Sequence, residues 1–441
     1  PANGLGAALT SHCLDGHGSI LRAVLQPKKH WRLRQVPDDI VTELRQALGV
    51  GPLFARLLAL RGIADRDQAE TFLGKRLQDL HRPEDLHDMD RAARRLAQAL
   101  EQRQRILIHG DFDVDGSTAA TLMKLFCRCC SHDAAVWIPH RIDDGYGLSE
   151  ASFEAVREHA AELLITVDCG ITDHGWAARI EEELGCDVII TDHHLPGKAL
   201  PQCTAVVNPN HPASRYPDRG LAGVGVAWKL CWATGCVLCD SDRLTERLRQ
   251  FLLDQLCLVA IGTVADCAPM DGENRILVHH GLQRLPQTAN PGLRALLAHC
   301  RLEQVVSASD IGWRIGPLLN ASGRLSSALR NVELLTNADA DACQQILLAV
   351  VEENNERRRL SQVLTDDMKW SPAPITTTAA AWSSPATAGI RGSSVSSPAA
   401  WPSASASRAA SSRSRTASVV VACARPRASI WAKPSTPAPR C

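Results

Sequence analysis

An α/β protein with a doubly wound, mostly parallel sheet is expected from three features of this 441-residue chain. Five short apolar runs are separated by helix-length amphipathic segments. The runs end in charged or turn-forming residues, as buried parallel strands do. The composition, 45% apolar and 22% charged, is that of an ordinary globular protein and excludes a wholly disordered or collagen-like chain.

Residues 1–40 carry no assignable pattern. The stretch Pro1 to His30 lacks the charged, apolar and small-residue order of a signal peptide, and the chain opens without an initiator methionine. Residues 41–104 form the expected helical lead-in. Pro52–Leu60 and Ala92–Leu100 repeat apolar residues at helix spacing, with Arg94 and Arg95 on a polar side. The sheet domain is expected over 105–337. Its strands are Ile106–Ile108, Ala135–Ile138, Leu163–Val167, Val188–Ile190 and Thr204–Val207. The helices between and after them are Ser117–Cys130, Thr172–Leu184, Leu221–Thr234 and Leu244–Thr263. A long connecting helix, 338–369, places Glu352, Glu353 and Glu356 ahead of Arg357, Arg358 and Arg359, a spacing that suits a solvated helix. Residues 370–441 read as a disordered tail of Ser, Ala, Pro, Thr and Arg.

The zero net charge hides an asymmetry. Ser371–Cys441 holds eight basic and no acidic residues, leaving 40 basic against 48 acidic residues in the remainder. A net-acidic body does not coat nucleic acid non-specifically, so any such contact needs a local basic groove or bound metal. No apolar run of about 18 residues stands out, so no transmembrane helix is expected. The 16 cysteines are irregularly spaced, with Cys127, Cys129 and Cys130 crowded on one helix and a single Cys236-x-x-Cys239 pair. That spacing favours buried free thiols over a structural zinc site.

The chemistry concentrates at strand ends, where open α/β sheets bind their ligands. His109, Asp111, Asp113 and Asp115 alternate before Gly116. On an extended backbone alternate residues share one face, and three carboxylates there call for cations. A calcium loop is excluded because its twelfth position, counted from Asp111, is Leu122 rather than Glu. Asp168 ends the third strand, His193 and His194 follow the fourth, and Asp266 closes an apolar helical run. This set suffices for two divalent cations about 3.5–4 Å apart. Oxygen-rich ligands with some imidazole favour manganese or magnesium.

These residues resemble the signature of the DHH phosphoesterase superfamily. The acids of 109–116, Val167-Asp-Cys-Gly170 and Asp192-His-His194 are similar to its first three motifs. Asp144–Leu148, Leu221–Val226, Gly262–Asp266 and Gly316–Arg324 resemble its bacterial single-strand-specific exonuclease branch. The resemblance runs from about Val41 to Met368. It implies a metal-dependent 5′-to-3′ exonuclease on single-stranded DNA, acting in recombination and repair. It also implies single-strand-binding protein and a helicase as partners, a cytoplasmic setting and no membrane. By motif position His109, Asp113 and Asp168 would hold one cation, and Asp115, Asp168, His193 and Asp266 the other. Asp111 and His194 would join Asp168 in catalysis. Arg324, Asn320, Tyr146 and Gly223 would meet the substrate, Arg324 as a phosphate clamp after a Gly-rich turn. Oligomeric state is not legible.

Phe112 stands where the family usually has Tyr. Family members continue past the long helix into a domain with a Gly-Gly-His motif, which does not occur here. The tail has the bias of GC-rich DNA read out of frame, so a frameshift near Lys369 and impaired processive activity are expected. Translation of the other two reading frames tests this. Two other readings share the same motifs: a phosphodiesterase or pyrophosphatase on small nucleotides, and a non-catalytic binding remnant.

Overall fold

A computed structural model describes residues 33–141 and 143–370. The expected tail from 371 onward and residues 1–32 lie outside the described residues. The chain divides into two compact units at Lys75/Arg76.

In the first unit α1 (Asp38–Leu48), α2 (Pro52–Leu60) and α3 (Arg66–Gly74) pack Val41, Leu44, Ala55, Leu58 and Ala69 into a small core of their own. Asp65 caps α3 by accepting the Gln68 N–H.

The second unit opens with α4 (Met89–Glu101), which the sequence groups with the lead-in. Its apolar stripe, Met89, Ala92, Ala93, Leu96 and Leu100, belongs to the main core, and it packs on the sheet. Then follow β1 (Ile106–Gly110), α5 (Val114–Cys129), β2 (Ala135–Trp137), α6 (Glu150–Glu158), β3 (Leu163–Val167), α7 (His174–Leu184), β4 (Asp187–Thr191) and β5 (Ala205–Val207). All pairings are parallel, in the order β2-β1-β3-β4-β5. Alternate strand residues face opposite sides. Leu107, Leu164, Val188 and Ile190 pack with Phe153, Val156 and Ile180 of α6 and α7. Ile108, Ile165, Val167 and Ile189 join the larger core of α4, α5 and the helices that follow. The doubly wound expectation holds.

These later helices are α8 (Gly223–Leu238), α9 (Glu246–Asp254), α10 (Leu256–Ala265), α11 (Gly272–Arg284) and α12 (Pro291–His299). The short α13 (Ala308–Asp310) runs through a π-helical turn, Ile311–Ile315, into α14 (Gly316–Leu325). Helices α15 (Leu329–Thr336) and α16 (Ala340–Trp370) complete the unit.

Four expectations change here. Leu244–Thr263 is not one helix but two, broken at Gln255. The whole stretch Glu246–Ala265 is nevertheless long and apolar enough, at a mean hydropathy of 1.4, to cross a membrane, where the sequence reading expects no such stretch. Its apolar half is buried against α5, α8 and α11. The Gly-rich turn before Arg324 is helix α14. Gly323 serves close packing there, since a Cβ on it would lie 2.1 Å from the Phe112 carbonyl oxygen. Finally, Glu353 of α16 does not face solvent: it accepts hydrogen bonds from Ser322 and Ser326, each at 2.7 Å, and pairs with Arg330.

Candidate metal centre

Parallel register places the acids side by side. Gly110 pairs with Val167, and Val167 with Thr191, so β1, β3 and β4 end level. Each strand is followed at once by an aspartate. The Asp111, Asp168 and Asp192 N–H groups donate to the Val167, Thr191 and Val207 carbonyls at 3.3, 2.9 and 3.1 Å. The backbone ladder thus sets three carboxylates along one rim. Asp168 holds a left-handed backbone, φ 64°, a conformation that Asp tolerates better than most residues.

The alternating acids do not share one extended face. Only His109 and Gly110 are in β1; Asp113 is the N-cap of α5, accepting the Gly116 N–H at 3.0 Å, and Asp115 lies in the first helical turn. Helix geometry swings Asp115 away from Asp111. Its carboxylate instead accepts the Gly223 and Val224 N–H groups of α8 at 2.8 and 3.0 Å.

The acids and imidazoles converge as three overlapping sets of possible ligand atoms. Asp111, Asp113 and Asp168 form one, Asp115, His193 and Asp266 a second, and Asp168, His193 and His194 a third. In each set the atoms lie within 4.8 Å of one another. His193 Nε2 is 3.1 Å from Asp168 Oδ1 and 3.9 Å from both Asp115 Oδ2 and Asp266 Oδ2. Both His193 Nε2 and Asp168 Oδ1 are buried without a hydrogen-bond partner. Two orphaned lone-pair donors facing one space, ringed by carboxylates, fit a divalent cation.

Electrostatics agree. Burial, then the Asp113 charge, raises the Asp111 carboxyl well above its usual range. Burial and Asp266 do the same for Asp115, and burial and Asp115 for Asp168. Asp266 is pushed up to about 6 by burial and Asp113. Burial and the His194 charge lower His193 to about 4, leaving it a neutral ligand at pH 7. Burial opposes charge on His194 too, but its 2.8 Å hydrogen bond to Asp192 and the charges of Asp192, Asp111 and Asp266 together outweigh that and raise it to about 9.

His109 is not among the three sets. Its Nε2 meets Ser152 Oγ at 3.0 Å and its Nδ1 meets Cys169 Sγ at 3.4 Å, so the protein occupies both nitrogens. Burial drops it to about 4. Gly223 is buried rather than open to substrate: besides its N–H on Asp115, a Cβ would come within 2.5 Å of Asp168 Oδ1. Gly262 plays the same part, its Cβ position 2.7 Å from Asp115 Oδ1. Tyr146 is 39% exposed, between Gly145 and Gly147 at positive φ. Its hydroxyl reaches the Asp168 carbonyl at 3.4 Å and His194 Nδ1 at 3.3 Å, and its ring meets Phe112 edge-on. Asn320 is half-buried on α14, and Arg324 follows on the same helix.

The sequence reading missed other contributors. Asp192 takes the His193 and His194 N–H groups on Oδ1 at 2.7 and 3.0 Å, and the Ile171 N–H on Oδ2 at 3.0 Å. Burial works against its charge, yet the hydrogen bonds from His194 and Ile171 and the His194 charge together hold it below the usual carboxylate range. Its place beside two histidines was a visible signal. Arg141 lies over the Phe112 ring at 4.8 Å. Burial, then the charges of Arg141 and Arg357, lowers Arg324, so two further guanidiniums, and Asp113, lie within electrostatic reach of it. Nothing in their spacing announces that.

A five-stranded parallel sheet whose strand ends converge on Asp-x-Asp and Asp-His-His acids defines the class: this chain belongs to the DHH family, whose N-terminal-domain model matches residues 105–263. Within the family it falls in the RecJ branch. It is 36% identical over 352 residues to the single-stranded-DNA-specific exonuclease RecJ of Bacillus subtilis, covering 78% of this chain and 42% of that protein. To its counterpart in Salmonella typhimurium it is 36% identical, covering 76% and 58%. The crystal structure of RecJ with Mn2+ from Thermus thermophilus superposes with a TM-score of 0.64 at 32% identity, over 78% of this chain and 48% of that one. A manganese-bound exonuclease RecJ structure gives 0.57 at 35% identity, over 64% and 69%. The chain spans about half the length of the curated relatives it matches.

Proposed function

We propose that this chain carries the catalytic core of a metal-dependent 5′-to-3′ exonuclease on single-stranded DNA that serves recombination and repair in the cytoplasm. Single-strand-binding protein and a helicase are its proposed partners. The observation that carries the reading is the three ligand sets joined through Asp168 and His193, whose own donor atoms are unpartnered. Relatives solved with Mn2+ and with Mg2+ support manganese or magnesium as the cations. The direction of digestion comes with the family resemblance.

Asp111, Asp113 and Asp168 would hold one cation, and Asp115, Asp168, His193 and Asp266 the other. When bound, such a pair would polarise the scissile phosphate and lower the pKa of the attacking water. The chain's own residues do the rest. Asp168 sits between the two sets and fixes their separation. His194, kept protonated by Asp192, offers a cationic N–H to a phosphate oxygen and a proton to the leaving oxygen. Tyr146, edge-on to Phe112, offers a ring on which a base can stack, worth about 1–3 kcal/mol. Arg324 grips a phosphate, with Asn320 one turn before it on the same helix.

The test is digestion of long single strands, labelled at either end, in Mn2+ or with chelator. Slow, metal-dependent release of nucleotides from the 5′ end, without processive digestion, is expected. Turnover of dinucleotides with long strands untouched would replace this reading with the small-nucleotide phosphodiesterase one; absence of metal binding would favour the non-catalytic remnant. A second expectation concerns substrate alone. Arg324→Ala removes a charge-assisted bond of about 1.5–3 kcal/mol, so KM for single-stranded DNA should rise about 10–100-fold. Manganese binding, read by calorimetry, should not change.

A further inference from the structure

The Asn208-Pro209-Asn210 loop that ends β5 has no part in the mechanism above, yet it holds both histidines. Asn208 is fully buried. Its Nδ2 donates to the His194 carbonyl at 3.0 Å, while its Oδ1 accepts the Asn210 N–H at 2.6 Å. Asn210 Nδ2 donates to the His193 carbonyl at 2.7 Å and to the Arg219 carbonyl at 3.3 Å. The His211 N–H closes the turn on the Asn208 carbonyl at 3.0 Å. On the opposite side, Asp192 already takes the N–H groups of His193 and His194.

The peptide groups flanking the two imidazoles are therefore gripped from both sides, N–H by a carboxylate and C=O by two carboxamides. With its backbone fixed, His193 has little freedom except rotation of its side chain. Nε2 is delivered to within 4 Å of three carboxylates on three different elements. The chemistry demands a carboxamide at position 208, and at Asn210 a side chain that donates to two carbonyls. At Asn208 one group must donate to a carbonyl and accept from an N–H. An aspartate there would set a carboxylate oxygen against the His194 carbonyl, and a serine would not reach. Proline between them restricts the loop that presents both amides.

We infer that Asn208 and Asn210 are positioning residues of the metal centre. They set its cation affinity by locking the carbonyls of His193 and His194, and touch neither cation nor substrate. This rests on the metal-centre reading above. Residues that orient metal ligands from behind commonly change affinity by about 10–100-fold when lost.

The decisive measurement is calorimetric Mn2+ binding to the metal-free full chain. Asn210→Ala, at a partly exposed loop position, and Asn208→Asp, which keeps the volume, should each weaken the binding about 10–100-fold. The Mn2+ concentration for half-maximal hydrolysis should rise by the same factor, with KM for DNA at saturating Mn2+ unchanged. Asn331→Ala provides the structural comparison. That buried amide makes an equivalent bond, Nδ2 to the Leu319 carbonyl at 2.9 Å, away from the histidines. It should lower the melting temperature and leave Mn2+ affinity alone. Unaltered Mn2+ affinity in Asn210→Ala overturns the inference while the metal centre stands. So does an equal loss in Asn331→Ala, because general destabilisation would then explain both. A parent chain that binds no Mn2+ removes the metal-centre reading, and the inference with it.

Discussion

Asp168→Asn should abolish manganese binding and metal-dependent hydrolysis while leaving the metal-free chain more stable than its parent at pH 8. The substitution keeps the shape of the side chain, and Asn tolerates the left-handed φ of 64° that position 168 requires. What it removes is charge. Asp168 alone belongs to both the Asp111–Asp113 set and the His193–His194 set, so one change damages both places for a cation. Loss of several kcal/mol of charge stabilisation corresponds to about a thousandfold or more in rate. The stability effect has the opposite sign. Burial and the charges of Asp115, Asp113, Asp111 and Asp192 all oppose ionisation of Asp168. Without metal that carboxylate strains the fold, and a neutral amide relieves it. Hydrolysis assays, Mn2+ calorimetry and thermal melts in chelator check the three parts separately. A variant that melts lower than its parent in chelator would show Asp168 to be a structural acid rather than half of a cation cage.

What the sequence makes legible follows from how the sheet is built. Strands buried on both faces read as plain apolar runs, so Leu163–Val167 and its neighbours stand out without homologues. The rim acids are legible because they directly follow those runs. Contacts made across space are not. The alternation from His109 to Asp115 looks like one extended face, but an N-cap at Asp113 starts a helix and splits the acids between two sets. His109 carries the right chemistry in the right motif, yet its ring turns to Ser152 and Cys169. Gly223 and Gly262 owe their place to carboxylates that a Cβ would strike. Lys229 sits in an apolar helix as though exposed. It is fully buried against Glu273 at 2.7 Å, a pairing 44 residues apart that no local pattern reports. Asn208 and Asn210 read as a turn, and only the fold brings their amides to His193 and His194.

The same crowding of charge makes the melting temperature fall with rising pH in chelator, and makes manganese reverse the fall. Folding leaves Asp111, Asp115 and Asp168 with carboxyls well above their usual values, Asp266 at about 6 and His194 at about 9. In the unfolded chain carboxyls ionise near pH 4 and histidines near 6.5. From pH 6.5 to 8.5 the folded state therefore retains protons that the unfolded state has released. Stability must then decrease as pH rises, by about 1.4 kcal/mol per pH unit for each proton retained. Below pH 6.5 two groups of residues oppose each other. The raised carboxyls still hold protons that the unfolded chain releases down to about pH 4, while His109 and His193, held neutral down to about 4, stay unprotonated as the unfolded chain takes protons up. The fall is therefore cleanest towards pH 8.5, where the two lowered histidines no longer differ between the states. Divalent cations compete with the retained protons, so affinity tightens as pH rises. A thousandfold excess over Kd adds about 4 kcal/mol. The gap between melts in Mn2+ and in chelator should therefore widen from pH 6.5 to 8.5, and Asp168→Asn should close most of it. A gap that stays constant with pH would mean that the cation does not displace these protons, and that the clustered carboxyls are not its ligands.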